Sequence, residues 1–269
     1  MKIGNKEFVI GERTYVMGIL NVTPDSFSDG GKYNEIELAL KKVEQMIKDG
    51  ADIIDVGGES ARPNFEVVDT KEEIDRVVPI IKAIKEKYDI PVSVDTYKAK
   101  TAEEAIKAGA DIINDIWGFK KDKDMAKVAG KYGVPCILMH NREDRKYDRL
   151  MDDVMMDLVE SINIALENGV KRENIILDPG IGFAKTYEEN LKVMNNLEVL
   201  GALELPILLG TSRKSMIGLS LNTGVNDRLE GTIATTVMGI MKGCSFIRVH
   251  DVLENKRACV MTDKIMKAK

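Results

Sequence analysis

The sequence predicts a (β/α)₈ barrel with a short N-terminal β-hairpin. Eight apolar runs of strand length recur along the chain, separated by charged, amphipathic stretches of helix length. The runs are apolar on both faces, as doubly buried parallel strands are. Several helix-to-strand joints carry glycine, the usual residue at a helix C-terminus before a turn into a strand.

The elements follow in order. Residues 8–15 read as the hairpin. Strand 16–20 is followed by helix 35–48, and strand 52–56, entered through Gly50, by helix 71–87. Strand 91–94 precedes helix 98–108, and strand 111–116, entered through Gly109, precedes helix 123–131. Strand 134–139 follows Gly133 and leads to helix 152–167, while strand 174–177 follows Gly169 and leads to helix 187–200. Strand 206–209 is paired with helix 226–242, and strand 245–249, after Gly243, with a last helix at 255–267. At about 30 residues per unit this matches a barrel of roughly 250 residues. The phrase Gly50-Ala-Asp-Ile-Ile-Asp55 returns as Gly109-Ala-Asp-Ile-Ile-Asn114, as two equivalent barrel positions would. An open doubly wound sheet is the alternative, but no GxGxxG follows the first strand. No linker or low-complexity segment divides the chain, so residues 1–269 read as a single domain.

Composition narrows the function classes. Hydrophobic residues form 44% of the chain, enough for a sizeable core. The formal net charge is −5 and the charges are mixed, which argues against nucleic acid as a partner. The apolar run 231–241 is too short to span a bilayer, and the N-terminus lacks a signal-peptide pattern. Cys136, Cys244 and Cys259 are scattered and form no CxxC pair, which favours a reducing cytoplasm over a disulfide framework or a structural zinc site.

The C-terminal ends of barrel strands form the active-site face, so the residues after each apolar run carry the chemistry. The first strand leads into a polar loop with Asn21, Asp25 and Asp29; a solvated loop of Asx turns is the plain alternative. The second leads into Asp55-Val-Gly-Gly-Glu-Ser-Ala-Arg-Pro63, whose paired glycines let backbone approach a ligand, with a local Glu59–Arg62 ion pair as the structural alternative. Asp95 and Asn114 fall where side chains enter the barrel mouth or cap the next helix. Asp178 precedes turn residues, and Lys214 lies in Gly210-Thr-Ser-Arg-Lys-Ser215. Arg248 and His250 are two apart and share one face of a strand. An arginine in a buried strand is costly unless paired or bound to an anion. Both histidines of the chain, His140 and His250, stand at or just past strand ends. Carboxylates on one part of the rim and cations on another suit a ligand with a donor-rich ring and a phosphate end.

These motifs resemble one family. The run MGILNVTPDSFSDGG at 17–31, DVGGES at 55–60 with Arg62-Pro63, SVDT at Asp95, INDI at Asn114, MHN at Met139, DPGIGF at Asp178, TSRKS at Lys214 and RVHDV at Arg248 are similar, in order, to the signature of the dihydropteroate synthases. The first loop, SRKS and RVHDV are specific; SVDT and DPG-type elements are shared with related pterin-binding methyltransferases. The resemblance implies a barrel, usually a homodimer, that joins 6-hydroxymethyl-7,8-dihydropterin pyrophosphate to p-aminobenzoate with help from Mg²⁺. By motif position, Asp95, Asn114, Asp178 and Lys214 would hold the pterin, with Ile116, Met139 and Phe183 lining its pocket. Asn21, Arg248 and His250 would hold the pyrophosphate, Asn21 beside the magnesium. Phe27, Asp29, Arg62, Pro63, Lys214 and Ser215 would shape the aminobenzoate site, and Asp95, Asp29, Arg62 and Lys214 would act in catalysis. Two positions depart from the family pattern, Ala61 in place of the usual Thr and Asn64 in place of the usual Gly, which puts the aminobenzoate contact of that loop in question. A methyltetrahydrofolate-dependent methyltransferase and an inactive pterin-binding scaffold stay open as alternatives.

Overall fold

The structure, a computed structural model, describes residues 1–22, 32–59 and 68–268. It opens with β1 (Lys2–Ile3) and β2 (Lys6–Glu7), an antiparallel hairpin. The hairpin thus lies at residues 2–7 and not at 8–15. Gly4 and Asn5 form its two-residue turn, with Gly4 at φ +59, where glycine carries no Cβ penalty. Two residues per strand are too few to leave a readable alternation in the sequence.

Among the described residues, strands and helices then alternate. The first half comprises β3 (Tyr15–Asn21), α1 (Lys32–Lys48), β4 (Ile53–Gly57), α2 (Thr70–Lys87), β5 (Val92–Asp95), α3 (Ala99–Lys107), β6 (Ile112–Asp115) and α4 (Met125–Tyr132). The second comprises β7 (Cys136–Met139), α5 (Leu150–Glu167), β8 (Ile175–Asp178), α6 (Tyr187–Asn195), β9 (Leu208–Leu209), α7 (Ser215–Leu221), α8 (Leu229–Met241), β10 (Phe246–Val249) and α9 (Val252–Lys267). The eight strands β3 to β10 form one sheet of order β8-β7-β6-β5-β4-β3-β10-β9, parallel throughout. A parallel bridge between Leu177 and Ile207 joins its two ends and closes the barrel.

Three element boundaries differ from the sequence reading. The helix expected at 187–200 ends at Asn195, and a 3-10 segment, Leu197–Leu203, continues. Strand β9 is only two residues long. The helix expected at 226–242 is α8, and a further helix, α7, precedes it where none was expected; α7 has seven residues, too few to show a helical period. No helix of the described residues is long and apolar enough to cross a membrane.

The core has two layers, because successive strand residues point to opposite faces of the sheet. One layer lies between sheet and helices, with Val16, Leu20, Ile54, Val56, Val92, Val94, Ile113 and Leu138 among its buried members. The other fills the lower barrel with Tyr15, Met17, Ile53, Ile112, Ile137, Ile176, Leu208 and Phe246. Ile3 of β1 and Phe8 join this inner cluster from the N-terminal segment. Phe8 lies 4.7 Å from Tyr15 and Tyr15 lies 5.4 Å from Phe246, ring centroid to ring centroid, within the range of favourable aromatic pairs. The Tyr15 hydroxyl stays satisfied by accepting from the Val9 N–H at 2.8 Å.

Candidate active site

The inward positions one step above the apolar layer are polar. They are Asp55 on β4, Asp95 on β5, Asn114 on β6, Asp178 on β8 and Arg248 on β10, with Met139 on β7. Each lies two residues beyond an inner-layer or inward residue of its own strand, so the register that packs the barrel also gathers these side chains at one mouth. Register places Gly57 beside Asp95, Asp95 beside Asn114, and Met139 beside Asp178. Asp115, next to Asn114, points the other way: it is buried and accepts from the Trp117 and Phe119 N–H groups at 2.8 and 2.9 Å, fixing the turn after β6.

Arg248 is the hub of the mouth. Its Nε donates to Asp55 Oδ2 at 2.6 Å and its Nη2 donates to Asp95 Oδ2. Asn114 Nδ2 donates to the same Asp55 oxygen at 3.3 Å, while Asp55 Oδ1, also buried, has no hydrogen-bond partner among the described residues. Burial pushes the Asp95 carboxyl up to about 7, with the Arg248 charge pulling the other way and Asp55 adding to the rise. Burial opposes the Arg248 charge, but Asp55 and Asp95 more than offset this and hold the guanidinium protonated. Neither Asp95 nor Asn114 caps a helix. The N-cap of α3 is Lys98 without a side-chain bond, and its first N–H, that of Ala99, is met by Asp122 at 2.8 Å.

The turn after β8 carries the next group. Asp178 is buried and its Oδ1 accepts from the Gly180 N–H at 2.7 Å. Burial raises its carboxyl above the ordinary range, opposed by Lys214 and by that N–H. Gly180 has φ +66, and a Cβ there would lie 2.0 Å from the His140 carbonyl oxygen, so no other residue fits without moving backbone. Lys214 reaches over from the β9–α7 connection. Its Nζ donates to the Ile181 carbonyl and sits 4.7 Å from the Phe183 ring centroid, a cation–π distance. Burial lowers Lys214 to about 8, with Asp178 counteracting. Ile116 is half-buried just past β6, and Met139 is buried at the end of β7.

On the opposite side, Asn21 ends β3 in register with Gly57. His250, half-buried past β10, is held by Ser212: Ser212 Oγ lies 3.0 Å from His250 Nδ1 and accepts from the His250 N–H at 3.1 Å. Ser215 is the exposed first residue of α7. Of the expected residues, Asp95, Asn114, Met139, Asp178, Lys214, Phe183 and Arg248 therefore converge on one mouth, with Asn21 and His250 at strands β3 and β10. Phe27, Asp29, Arg62 and Pro63, with Ala61 and Asn64, lie outside the described residues. Glu59 pairs with Lys98 at 2.5 Å and accepts from Val68 N–H at 3.2 Å, so it ties the ends of its loop to α3.

The sequence reading missed two site residues. Asp55 stands in the sequence between a strand phrase and the paired glycines and carries no assigned role there, although it occupies the same position in that phrase as Asn114. Lys185, seven residues past Asp178, is buried and bonded to His140 and to the turn itself. A lysine in a Gly-rich turn carries no pattern that separates it from a solvated one.

Comparison with known proteins gives one consistent result. A family profile described as pterin binding enzyme matches residues 17–250. The chain is 71% identical to the dihydropteroate synthase of Clostridium beijerinckii over 268 residues, covering 99% of this chain and 100% of that protein. It is 56% identical to the Bacillus subtilis dihydropteroate synthase, covering 95% of this chain and 90% of that one. Among solved structures, the Clostridium difficile dihydropteroate synthase in the presence of pteroic acid superposes with a TM-score of 0.95 at 52% identity, covering 97% and 100% of the two chains. The Yersinia pestis dihydropteroate synthase in a sulfonamide drug complex superposes with a TM-score of 0.92 at 39% identity, covering 100% and 99%.

Proposed function

The chain belongs to the dihydropteroate synthase family of pterin-binding enzymes, and from that premise we propose how its mouth divides the work. The enzyme is a transferase of folate biosynthesis that condenses 6-hydroxymethyl-7,8-dihydropterin pyrophosphate with p-aminobenzoate. The methyltransferase and scaffold alternatives are not retained, since the full-length similarity is to the synthases.

The observation that carries the assignment of roles is the polar ring above the apolar barrel layer. Asp178 accepts the pterin ring N–H and its exocyclic amine side by side, as a carboxylate accepts an arginine fork. Asn114 both donates to and accepts from the mixed ring edge, and Lys214 donates to the ring carbonyl. Ile116, Met139 and Phe183 wall the ring. Arg248 and His250 face the pyrophosphate from β10; the bonds of Arg248 to the carboxylates use Nε and Nη2, leaving Nη1 outside both. In the reaction the C–O bond to pyrophosphate breaks, the aminobenzoate nitrogen bonds to the same methylene carbon, and that nitrogen loses a proton. Asp95 would stabilise positive charge developing on the pterin, a preorganised effect of roughly 3 kcal/mol. Aminobenzoate binding falls to Ser215 with Phe27, Arg62 and Pro63, and Asp29 and Arg62 help to close the site.

Magnesium fits one donor here. Mg²⁺ is commonly held by one or two protein oxygens plus substrate phosphates. Among the described residues no group of three His, Cys, Asp or Glu side chains converges. The amide oxygen of Asn21, at the end of β3, is a hard ligand of the right kind. The ion would spread the charge of the leaving pyrophosphate. The test is a coupled assay of pyrophosphate release. Release is expected only with pterin pyrophosphate, p-aminobenzoate and Mg²⁺ together; none with all three present refutes the activity.

A homodimer is also proposed, with the chain as a single domain. Leu219 of α7, Met238 and Met241 of α8, and Val260, Met261 and Ile265 of α9 are exposed on helices that pack together, and Met241 is 66% exposed. Apolar surface of this extent on a compact barrel fits a second copy related by two-fold symmetry. Sedimentation is expected to give a dimer, and Met241→Glu with Met261→Glu a monomer; a monomeric parent chain contradicts this. Three buried, unpaired cysteines support a reducing cytoplasm as its compartment.

A further inference from the structure

The turn that follows β8 is tied down by the buried amine of Lys185, which burial lowers to about 7 against the pull of Asp178. Lys185 is 7% exposed, and its Nζ has three neighbours: His140 Nδ1 at 2.8 Å, the Gly180 carbonyl at 3.0 Å and the Phe183 carbonyl at 3.2 Å. In its protonated form the side chain has three N–H donors, one for each of these acceptors. None of the three acceptors is a carboxylate, so what the contacts of this side chain fix is the position of two backbone carbonyls of the turn.

The position is set from further away. His140 is fully buried, and burial lowers it to about 4, so it is neutral at pH 7. Its Nε2 lies 3.0 Å from Asp157 Oδ2, and the same carboxylate oxygen accepts from Arg142 Nε at 2.7 Å. Asp157 can only accept, so the ring proton sits on Nε2 and Nδ1 is left to accept from Lys185. A line of contacts thus runs from α5 through His140 and Lys185 to the two carbonyls. Those carbonyls bracket the turn between Asp178 and Phe183. The turn also holds Ala184 at φ +48, a conformation that a non-glycine residue adopts only when its surroundings impose it.

We propose that Lys185, oriented by the His140–Asp157 pair, is a positioning residue for the pterin. It fixes the 178–183 turn so that Asp178 and Phe183 meet the ring. This rests on the reading of Asp178 and Phe183 as pterin contacts. Asn21 ends β3 and His250 follows β10, whereas the turn follows β8, so the two ends of the substrate are held from different elements and respond differently.

The test compares the parent enzyme with Lys185→Met and Asp157→Asn. Calorimetry follows binding of pterin pyrophosphate and, separately, inorganic pyrophosphate, with thermal unfolding as a check on the fold. For Lys185→Met, pterin pyrophosphate is expected to bind about tenfold more weakly, in line with loss of the hydrogen bonds that fix the turn. Pyrophosphate alone should bind within about twofold of the parent. Asp157→Asn leaves the lysine in place but removes the fixed tautomer of His140, and a smaller loss of the same selectivity is expected. Native pterin pyrophosphate affinity in folded Lys185→Met, or equal losses for the two ligands, overturns the proposal. If Lys185→Met does not fold, Asp157→Asn decides by the same criterion. Failure of the parent enzyme to bind pterin pyrophosphate would instead remove the reading of the turn as a pterin contact.

Discussion

Replacing Arg248 with alanine is expected to lower the free energy of unfolding by about 3–5 kcal/mol, the usual cost of removing one partner from a buried charge pair. The substitution leaves Asp55 and Asp95 facing one barrel mouth with no cation between them. Both carboxyls are buried or nearly so, at 0% and 11% side-chain exposure. The loss is expected to depend on pH. The folded-state Asp95 carboxyl already lies above its unfolded value, at about 7, and without Arg248 it moves further up. A carboxyl raised in this way contributes its stability below its unfolded value near 4 and loses it as pH rises through the folded value. The gap between variant and parent should therefore be smallest and flat below about pH 6, begin to open as pH rises through about 7, and be fully open only above the variant's own, higher value. Urea unfolding across that range measures it, and a gap that shrinks with rising pH contradicts the assignment. Binding gives a second reading. Affinity for pterin pyrophosphate should fall more than affinity for the pterin without its pyrophosphate, whereas equal losses leave Arg248 a scaffold residue only.

Asp178→Asn is expected to weaken pterin pyrophosphate binding by about a hundredfold, roughly the 3 kcal/mol carried by a charge-assisted pair of hydrogen bonds. Asparagine can still accept from the Gly180 N–H, so the turn keeps the 2.7 Å bond that fixes it. What changes is the face toward the ring, where an acceptor pair becomes one acceptor and one donor. The donor then opposes a ligand N–H. Calorimetry with pterin pyrophosphate measures the loss. Native affinity in the asparagine variant would show that the ring is held elsewhere in the mouth.

Much of this site is legible in the sequence. Asp95, Asn114, Asp178 and Arg248 announce themselves because each is polar at the end of a run apolar on both faces, and a parallel strand has no solvated side to hide a charge on. The same logic reached Asp55 only in retrospect. Its phrase reads as strand through to the glycines, and nothing in one strand says that Arg248, 193 residues later, will sit against it. Lys185 was hidden for a different reason. Its significance lies in what surrounds it, and burial of a lysine in a turn is decided by packing from α5 and β7. The hairpin and α7 were lost to length, since neither is long enough to repeat its period. The roles of Asp29 and Arg62 rest on resemblance alone, and both lie outside the described residues.

The barrel's two inner layers couple folding to chemistry. In four strands the apolar floor residue and the polar residue of the mouth are two positions apart, as Ile53 is from Asp55, Ile112 from Asn114, Ile176 from Asp178 and Phe246 from Arg248. A strand slipped by one residue would turn its carboxylate or guanidinium toward the helices and its helix-facing side chains into the lumen. Such a molecule would lose its core and its reaction centre in the same move. The chain therefore has little access to a well-packed but inert decoy, and for this architecture the fraction that folds and the fraction competent for turnover are set by one alignment.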